Sequence, residues 1–217
     1  MTTMLRLASR RTFCTTRSLP FSQAGDKYFA QAQMRVRATE ADAGAKPTGR
    51  PPTEQPLLQV VLFEPQIPPN TGTIGRLCLA TRCQLHLINQ GFRVDDASIR
   101  RAGLDYWEHV DVHVHPTWKD YMDTFAPSRA FLFTSHGREA HWHATYRRGD
   151  ALIFGNEHLG APAWLHEWVR STQGEEHRVR IPMSPEVAGR SINLASSATA
   201  AVYEALRQID HVEALPF

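Results

Sequence analysis

Six short apolar runs recur along the chain from Leu57 onward, and they restrict the possible folds more than any other feature. The runs are LLQVVLF, QLHLI, VDVHVH, RAFLFTS, ALIFGNE and HRVRIPM, each with the length and the β-branched or aromatic content of a strand. Between them, the residue patterns predict helices over 71–81, 118–125, 162–169 and 193–209, and a shorter one over 95–102. Strands that alternate with helices form a parallel sheet, so the sequence predicts an α/β domain.

The charge distribution limits how this domain can bind a nucleic acid. The 217 residues include 24 Lys and Arg against 22 Asp and Glu, a formal net charge of +2. Residues 1–50 hold nine basic and three acidic side chains, a balance of +6, so the remainder of the chain carries −4. A globally basic nucleic-acid-binding core is therefore excluded, and any RNA contact must come from a local patch.

The amino-terminal 25 residues have the composition of an organelle transit peptide. They are rich in Arg, Ser and Thr, and the first acidic residue is Asp26. Arg6, Arg10 and Arg11 interrupt the one candidate apolar run, which argues against a secretory signal. We therefore expect a mitochondrial targeting peptide over 1–25, with a cytoplasmic location as the alternative.

The other predicted boundaries follow from composition. Residues 26–56 include a segment rich in Pro, Gly and charge without apolar periodicity, which is typical of a linker. The folded domain is predicted over 57–210 and a tail over 211–217. No apolar stretch approaches the ~20 residues that span a bilayer, so we expect no membrane association.

The turns that follow the predicted strands are the candidate ligand site, because open α/β sheets bind ligands beyond the carboxyl ends of their strands. Four segments occupy such places: EPQIPPNTGTIGR, GNEHLG, IPMS and RSIN. Asn70 in the first segment is the predicted N-cap of the helix that follows. The glycine-rich dinucleotide motif, the P-loop motif and the nucleophile elbow GxSxG are all absent, so an NAD-dependent oxidoreductase and a serine hydrolase lack support.

Histidine pairs raise the possibility of a metal site. His113 with His115, and His141 with His143, have the spacing that places two strand side chains on one face. However, no Cys or carboxylate supplies a third ligand at a suitable spacing, and the three cysteines have no CxxC pattern. We expect no metal, and we expect these histidines to be satisfied in the core or exposed.

Five motifs in order, EPQIPPNTGTIGRLC, RRAGLDYWEH, FGNEHLG, RIPM and RSINLASSATAAVYE, resemble those of the SPOUT methyltransferases. The resemblance is strongest to the tRNA (cytidine/uridine-34-2'-O)-methyltransferases and covers residues 57–208. It implies a parallel sheet with a C-terminal trefoil knot, a homodimer, and S-adenosylmethionine bound by the knot loops. The positions that match the family's cofactor contacts are Phe133, Thr134, Gly155, Ile181, Met183, Ser191 and Leu194.

The resemblance also implies a catalytic pair. Arg76 matches the arginine that the family places beside the ribose 2'-hydroxyl, and Glu157 matches the acidic residue of its G-x-E motif. A guanidinium group keeps its proton up to a pH of about 12, which argues against a general base. We expect Arg76 to hold the substrate phosphate and to stabilise developing negative charge, while Glu157 orients Arg76 or the ribose.

The expected substrate is the anticodon loop of a tRNA. The residues assigned to its binding are Asn70, Arg100, Arg101 and Tyr203, the last on a helix expected at the dimer interface. Tyr106 and Trp107 form an aromatic pair that either stacks on a splayed base or belongs to the core. One departure from the family is Leu159, which stands where a basic residue is usual.

The sequence thus predicts an S-adenosylmethionine-dependent enzyme that methylates the ribose 2'-oxygen of a tRNA nucleotide, at wobble position 34. Two alternatives remain open. The same chemistry could act on rRNA or on another tRNA position, or the chain could be a non-catalytic RNA-binding SPOUT module.

Overall fold

A seven-stranded sheet forms the centre of the computed structural model, which describes residues 56–92, 106–187 and 191–209. Every pairing within this sheet is parallel. The strands are β1 (Gln59–Phe63), β2 (Gln84–Ile88), β3 (Val112–His115), β4 (Ala130–Phe133), β5 (Glu139–Ala140), β6 (Ala151–Phe154) and β7 (Arg178–Arg180). Their order is β3-β2-β1-β6-β4-β7-β5. The predicted parallel α/β fold is confirmed, while the trefoil knot stays a prediction.

Four α-helices of the described residues cover this sheet: α1 (Pro68–Thr81), α2 (Trp118–Phe125), α3 (Ala163–Thr172) and α4 (Leu194–Gln208). Helix α2 has the predicted bounds, and its N-cap Thr117 accepts a hydrogen bond from the Asp120 amide. Helix α4 begins after Asn193, whose side chain accepts from the amides of Ala195 and Ser196. Helix α3 begins one residue later than predicted, with Pro162 as its N-cap.

The start of helix α1 corrects a prediction. The helix begins at Pro68, and its N-cap is Ile67, so Asn70 lies inside the first turn and does not cap the helix. Two consecutive prolines are compatible with this start, because the first backbone amides of a helix have no intrahelical acceptor. The side chain of Asn70 is consequently free to bond outside the helix.

Strand β1 shows why the predicted strands appear as unbroken apolar runs. Val60 and Leu62 face a core shared with helices α1 and α4, whereas Val61 and Phe63 face a second core shared with helices α2 and α3. All five residues of the strand are buried. A parallel sheet covered on both faces has this pattern, since both alternating sets of side chains meet helices.

The sequence missed β5, a strand of two residues at the edge of the sheet. It pairs with β7 and contains one exposed glutamate and one alanine, so it has no apolar run that marks a strand. The predicted leader, the linker except its last residue, the helix over 95–102 and the tail lie outside the described residues. Among the described helices, none has the length and apolar character to cross a membrane.

Candidate functional site

A cavity of ≈ 680 Å³ lies at the carboxyl ends of strands β4, β6 and β7. Its volume falls within the range of small-molecule sites. The cavity wall includes all seven residues predicted to contact a cofactor: Phe133, Thr134, Gly155, Ile181, Met183, Ser191 and Leu194. Asn70 and Glu157 also lie on the wall. The fold therefore brings together residues that are up to 124 positions apart in the sequence.

The turn after β4 is held tightly against β7. The Thr134 amide donates to the carbonyl oxygen of Val179 at 2.9 Å, and the Gly137 amide donates back to the Thr134 carbonyl at 3.1 Å. A Cβ atom at Gly137 would lie 2.5 Å from the Val179 carbonyl carbon, so this turn requires glycine. Below the turn, the Phe133 ring stacks on Phe154 with centroids 4.8 Å apart, which gives the cavity a rigid apolar floor.

Gly155 must be glycine because the chain's own backbone passes close to it. A Cβ atom at this position would lie 2.3 Å from the Ala161 amide nitrogen. The loop closes on itself because Asn156 and Gly160 exchange backbone hydrogen bonds of 3.1 and 2.8 Å. The resemblance assigns Gly155 to the cofactor, and the structure adds that the chain's own loop backbone also requires glycine here.

Glu157 binds the chain just before helix α1 from a loop about 90 residues away in the sequence. Its carboxylate accepts hydrogen bonds from the amides of Gln66 at 2.8 Å and Ile67 at 3.2 Å, and from the Asn70 side-chain amide at 3.3 Å. Gln66 and Ile67 immediately precede the helix, whose first two residues are prolines without an N–H, and a carboxylate is favourable beside the partial positive charge of a helix start. Glu157 thus fixes the beginning of the helix that carries Arg76.

Asn70 extends this network to helix α4. Its Oδ1 atom accepts a hydrogen bond of 2.9 Å from Asn193, the N-cap residue of α4. The chain Glu157–Asn70–Asn193 therefore joins the beginnings of helices α1 and α4 beside the cavity. Sequence reasoning selected Asn70, Glu157 and the segment RSIN, which contains Asn193, but not the mutual contacts of the three residues, which depend on the tertiary fold.

Arg76 lies apart from the cavity wall, on the exposed surface of helix α1. It follows Asn70 by six positions, an axial rise of about 9 Å. Its guanidinium carbon lies 4.6 Å from the centre of the Tyr106 ring. Within the described residues, no hydrogen bond or ion pair joins Arg76 to Glu157, so the expected direct orientation of one by the other is not seen.

Of the three remaining predicted substrate residues, the structure describes one. Tyr203 is 54% exposed on helix α4, while Arg100 and Arg101 lie outside the described residues. Leu159 is 85% exposed and Ile192 is 41% exposed, and both lie on the cavity wall. These two residues add apolar surface to the cavity. Their exposure could not be predicted from the sequence pattern.

A smaller cavity of ≈ 310 Å³ adjoins the first. Its wall carries His136, His166, Arg170 and Arg178. Both arginines are ion-paired, Arg170 with Glu167 at 2.6 Å and Arg178 with Glu175 at 2.9 Å. The positive charge of this cavity is thereby largely neutralised.

Three histidines meet on strands β2 and β3, away from the cavity. His86, which sequence reasoning missed, lies 3.1 Å from His115 between ring nitrogens and stacks on His113. Burial, and then the neighbouring His113, lowers the pKa of His115 to about 4, while Asp120 acts in the opposite direction. Burial also lowers the pKa of His86. Among the described residues, no group of three or more His, Cys, Asp or Glu has the arrangement to hold a metal ion.

The fold and the cavity together define an α/β domain with a cavity suited to a small molecule at the carboxyl edge of a parallel sheet. The wall combines apolar side chains with the backbone of three tight loops, which suits a ligand with a flat ring and a polar edge. Residues 57–203 match the SpoU rRNA methylase family, and the chain belongs to this family.

The chain matches bacterial relatives over almost their whole length. A Yersinia pestis protein named tRNA (cytidine(34)-2'-O)-methyltransferase is 43% identical over 165 residues, which cover 73% of this chain and 98% of that protein. The protein of the same name from Escherichia coli strain K12 is 42% identical over 156 residues, covering 71% of this chain and 96% of the relative.

Two solved structures are similar in fold. One, from a study of 2-OH methylation of C/U34 on tRNA, is 37% identical with a TM-score of 0.62, covering 70% of this chain and 96% of that one. The other is the SpoU methyltransferase AviRb from Streptomyces viridochromogenes in complex with AdoMet. It is 25% identical with a TM-score of 0.60, covering 72% of this chain and 62% of that chain.

Proposed function

We propose that this protein transfers a methyl group from S-adenosylmethionine to the ribose 2'-oxygen of tRNA at wobble position 34. The observation that carries the proposal is the similarity to proteins named tRNA (cytidine(34)-2'-O)-methyltransferase, which are 42–43% identical to this chain over nearly their full length. The cavity supports it, because its wall unites every residue assigned to the methyl donor.

The cavity residues fit the methyl donor in chemical character. Ile181 and Met183 offer apolar surfaces for an adenine ring, and loop backbone groups around Gly155 offer partners for its polar edge. When bound, S-adenosylmethionine supplies an electrophilic methyl group on a sulfonium, which leaves as a neutral thioether. The chain therefore needs no acid for the leaving group, but it must position the 2'-hydroxyl and provide for the loss of its proton.

In this proposal Arg76 acts on the nucleophile, the ribose 2'-hydroxyl. A guanidinium group remains protonated at neutral pH, so it acts by binding phosphate and stabilising negative charge on the 2'-oxygen. The proton then passes to phosphate, to solvent or to a carboxylate. Glu157 contributes indirectly, since its carboxylate holds the start of the helix that presents Arg76.

Methyl mapping tests the reaction and its site. The full chain is incubated with isotope-labelled S-adenosylmethionine and total mitochondrial RNA, and the methylated nucleotide is located by mass spectrometry. We expect label on the ribose of nucleotide 34 in tRNA, strongly reduced in the Arg76→Ala variant. Label on rRNA favours the alternative that the family's name suggests. Binding of the methyl donor without transfer to any RNA favours a non-catalytic module.

We also propose that the protein acts as a homodimer through helix α4. Most alanines of this helix are buried in the protomer's own core, so they are not available for packing against a second copy. Its exposed positions form a separate stripe at helical spacing: Ser196, Ala200, Tyr203 and Arg207. We expect sedimentation to give twice the chain mass, and Ala200→Glu to give monomers. A fully active wild-type monomer would contradict this assembly.

The mitochondrial location rests on the composition of residues 1–25. We expect a full chain with a carboxyl-terminal fluorescent tag to colocalise with mitochondria, and a chain that begins at residue 26 to remain in the cytoplasm. Equal distribution of the two chains would contradict the targeting role of the leader.

A further inference from the structure

We infer that Tyr106 is a positioning residue for Arg76, an inference that rests on the proposed methyl transfer. The ring of Tyr106 holds the face of the Arg76 guanidinium and leaves its N–H edge for the ribose and phosphate of RNA.

The contact between the two side chains is direct. The guanidinium carbon of Arg76 lies over the Tyr106 ring at 4.6 Å from the ring centre, within the distance of a cation–π interaction. Among the residues that the structure describes, none makes a hydrogen bond or an ion pair with Arg76. The aromatic ring is thus the defined partner of this exposed side chain, which otherwise rotates about several bonds.

Tyr106 is itself anchored to the helix that carries Arg76. Its hydroxyl group donates to the Gly72 carbonyl oxygen at 3.3 Å, one helical turn before Arg76. The next residue, Trp107, packs against Gly75, where a Cβ atom would lie 2.3 Å from the indole ring. The half-buried Tyr106 ring therefore has a fixed place relative to this turn of α1.

The chemistry of a guanidinium makes this arrangement useful. Its positive face interacts with an aromatic ring, while its five N–H donors point outward in the plane of the group. A partner carboxylate would instead occupy those donors and neutralise the charge. A ring restricts the rotation of the side chain and keeps both its charge and its donors available to a phosphate or an oxyanion.

Two substitutions separate the ring from the hydroxyl group. Tyr106→Phe removes the bond to Gly72 but keeps the ring, whereas Tyr106→Leu removes the aromatic face and keeps apolar bulk. We expect Tyr106→Leu to lower kcat about tenfold with less than about threefold change in the KM for tRNA, because misplacement of a catalytic group acts on the chemical step. Tyr106→Phe stays within about threefold of the wild type.

A double-mutant cycle distinguishes positioning from a general structural role. In the Arg76→Ala background, measured in single-turnover reactions with enzyme in excess, Tyr106→Leu is expected to cause no further loss of rate. If the two losses multiply instead, Tyr106 acts independently of Arg76 and the inference is overturned. A raised KM with unchanged kcat also overturns it, since that result indicates stacking on an RNA base.

A readout independent of activity keeps this test separate from the proposed function. The side-chain Nε–H resonance of Arg76 in a ¹H–¹⁵N spectrum, assigned by its absence in Arg76→Ala, reports the ring above it. We expect the resonance to shift in Tyr106→Leu and to remain near its position in Tyr106→Phe. An unshifted resonance in Tyr106→Leu refutes the contact, whereas absence of methyl transfer by the wild type counts against the proposed function alone.

Discussion

At the scale of single residues, the site depends on backbone contacts that only certain side chains permit. Gly155 and Glu157 belong to one loop, yet they serve it in different ways. Gly155 allows the strand end to pass the backbone at Ala161, while Glu157 reaches across to the amides at the start of helix α1. Neither role requires direct contact with a substrate, so substitutions at both positions should affect stability as well as activity.

Substitution of Gly155 by alanine should displace the loop. The added Cβ atom would lie 2.3 Å from the Ala161 amide nitrogen, so we expect a loss of about 2 kcal/mol in the free energy of unfolding and weaker binding of S-adenosylmethionine. Gly160→Ala is the matched control, because that position has open space but a φ of +70°. It should lose about 1 kcal/mol. Urea denaturation and calorimetric titration measure the two effects, and equal losses would contradict the steric argument.

Substitution of Glu157 by glutamine should weaken the start of helix α1. Bonds from backbone amides to a carboxylate are stronger than those to a neutral amide, so we expect a loss of about 1 kcal/mol in unfolding free energy, together with reduced kcat. Glu167→Gln is the control, since that exposed carboxylate pairs with Arg170 in solvent and its loss should leave the free energy of unfolding nearly unchanged. Wild-type stability with abolished activity in Glu157→Gln would instead place Glu157 among the reacting groups.

At the scale of elements, strands were more predictable than helix ends. A strand buried on both faces of a parallel sheet appears as an apolar run, and for this reason the sequence located β1 and β2 closely. The beginning of α1 was misplaced because its two prolines suggest a turn as readily as a first helical turn. The bond between Glu157 and Gln66 joins residues 91 positions apart, and no local pattern reports such a contact.

The histidine cluster on β2 and β3 predicts a dependence of stability on pH. Burial lowers the pKa of His115 from its ordinary value of 6.5 to about 4, so the folded protein favours the neutral ring. The unfolded chain takes up a proton below pH 6.5. The stabilisation is therefore complete above pH 6.5 and decreases as the pH falls towards 4, by roughly 2–3 kcal/mol.

Urea denaturation of variants between pH 7 and pH 4 isolates this contribution. His115→Gln should show a smaller decrease in unfolding free energy than the wild type over this range. His109→Gln is the control, because the side chain of His109 is mostly exposed and should leave the wild-type decrease unchanged. A decrease in His115→Gln as large as that of the wild type would refute the role of His115.

At the scale of the whole molecule, the net charge of the folded part does not favour binding of the proposed substrate. Residues 51–217 carry more acidic than basic side chains, although the proposed substrate is a polyanion. The described part of the chain presents Arg76 as a cation without a carboxylate partner, whereas Arg170 and Arg178 are paired. RNA binding should therefore rely on a few placed phosphate contacts, with shape and base contacts supplying the remainder.

The salt dependence of tRNA binding tests this expectation. Each phosphate contact contributes about 0.7 to 0.9 to the slope of log affinity against log salt concentration, so a few contacts predict a total slope of roughly −2 to −4. Fluorescence anisotropy of labelled tRNA with the full chain measures that slope, and Arg76→Ala should reduce its magnitude by about one. Glu167→Gln, which alters charge away from Arg76, should leave the slope unchanged. A slope as steep as −8, or no change in Arg76→Ala, would mean that an extended basic surface beyond Arg76 binds the RNA.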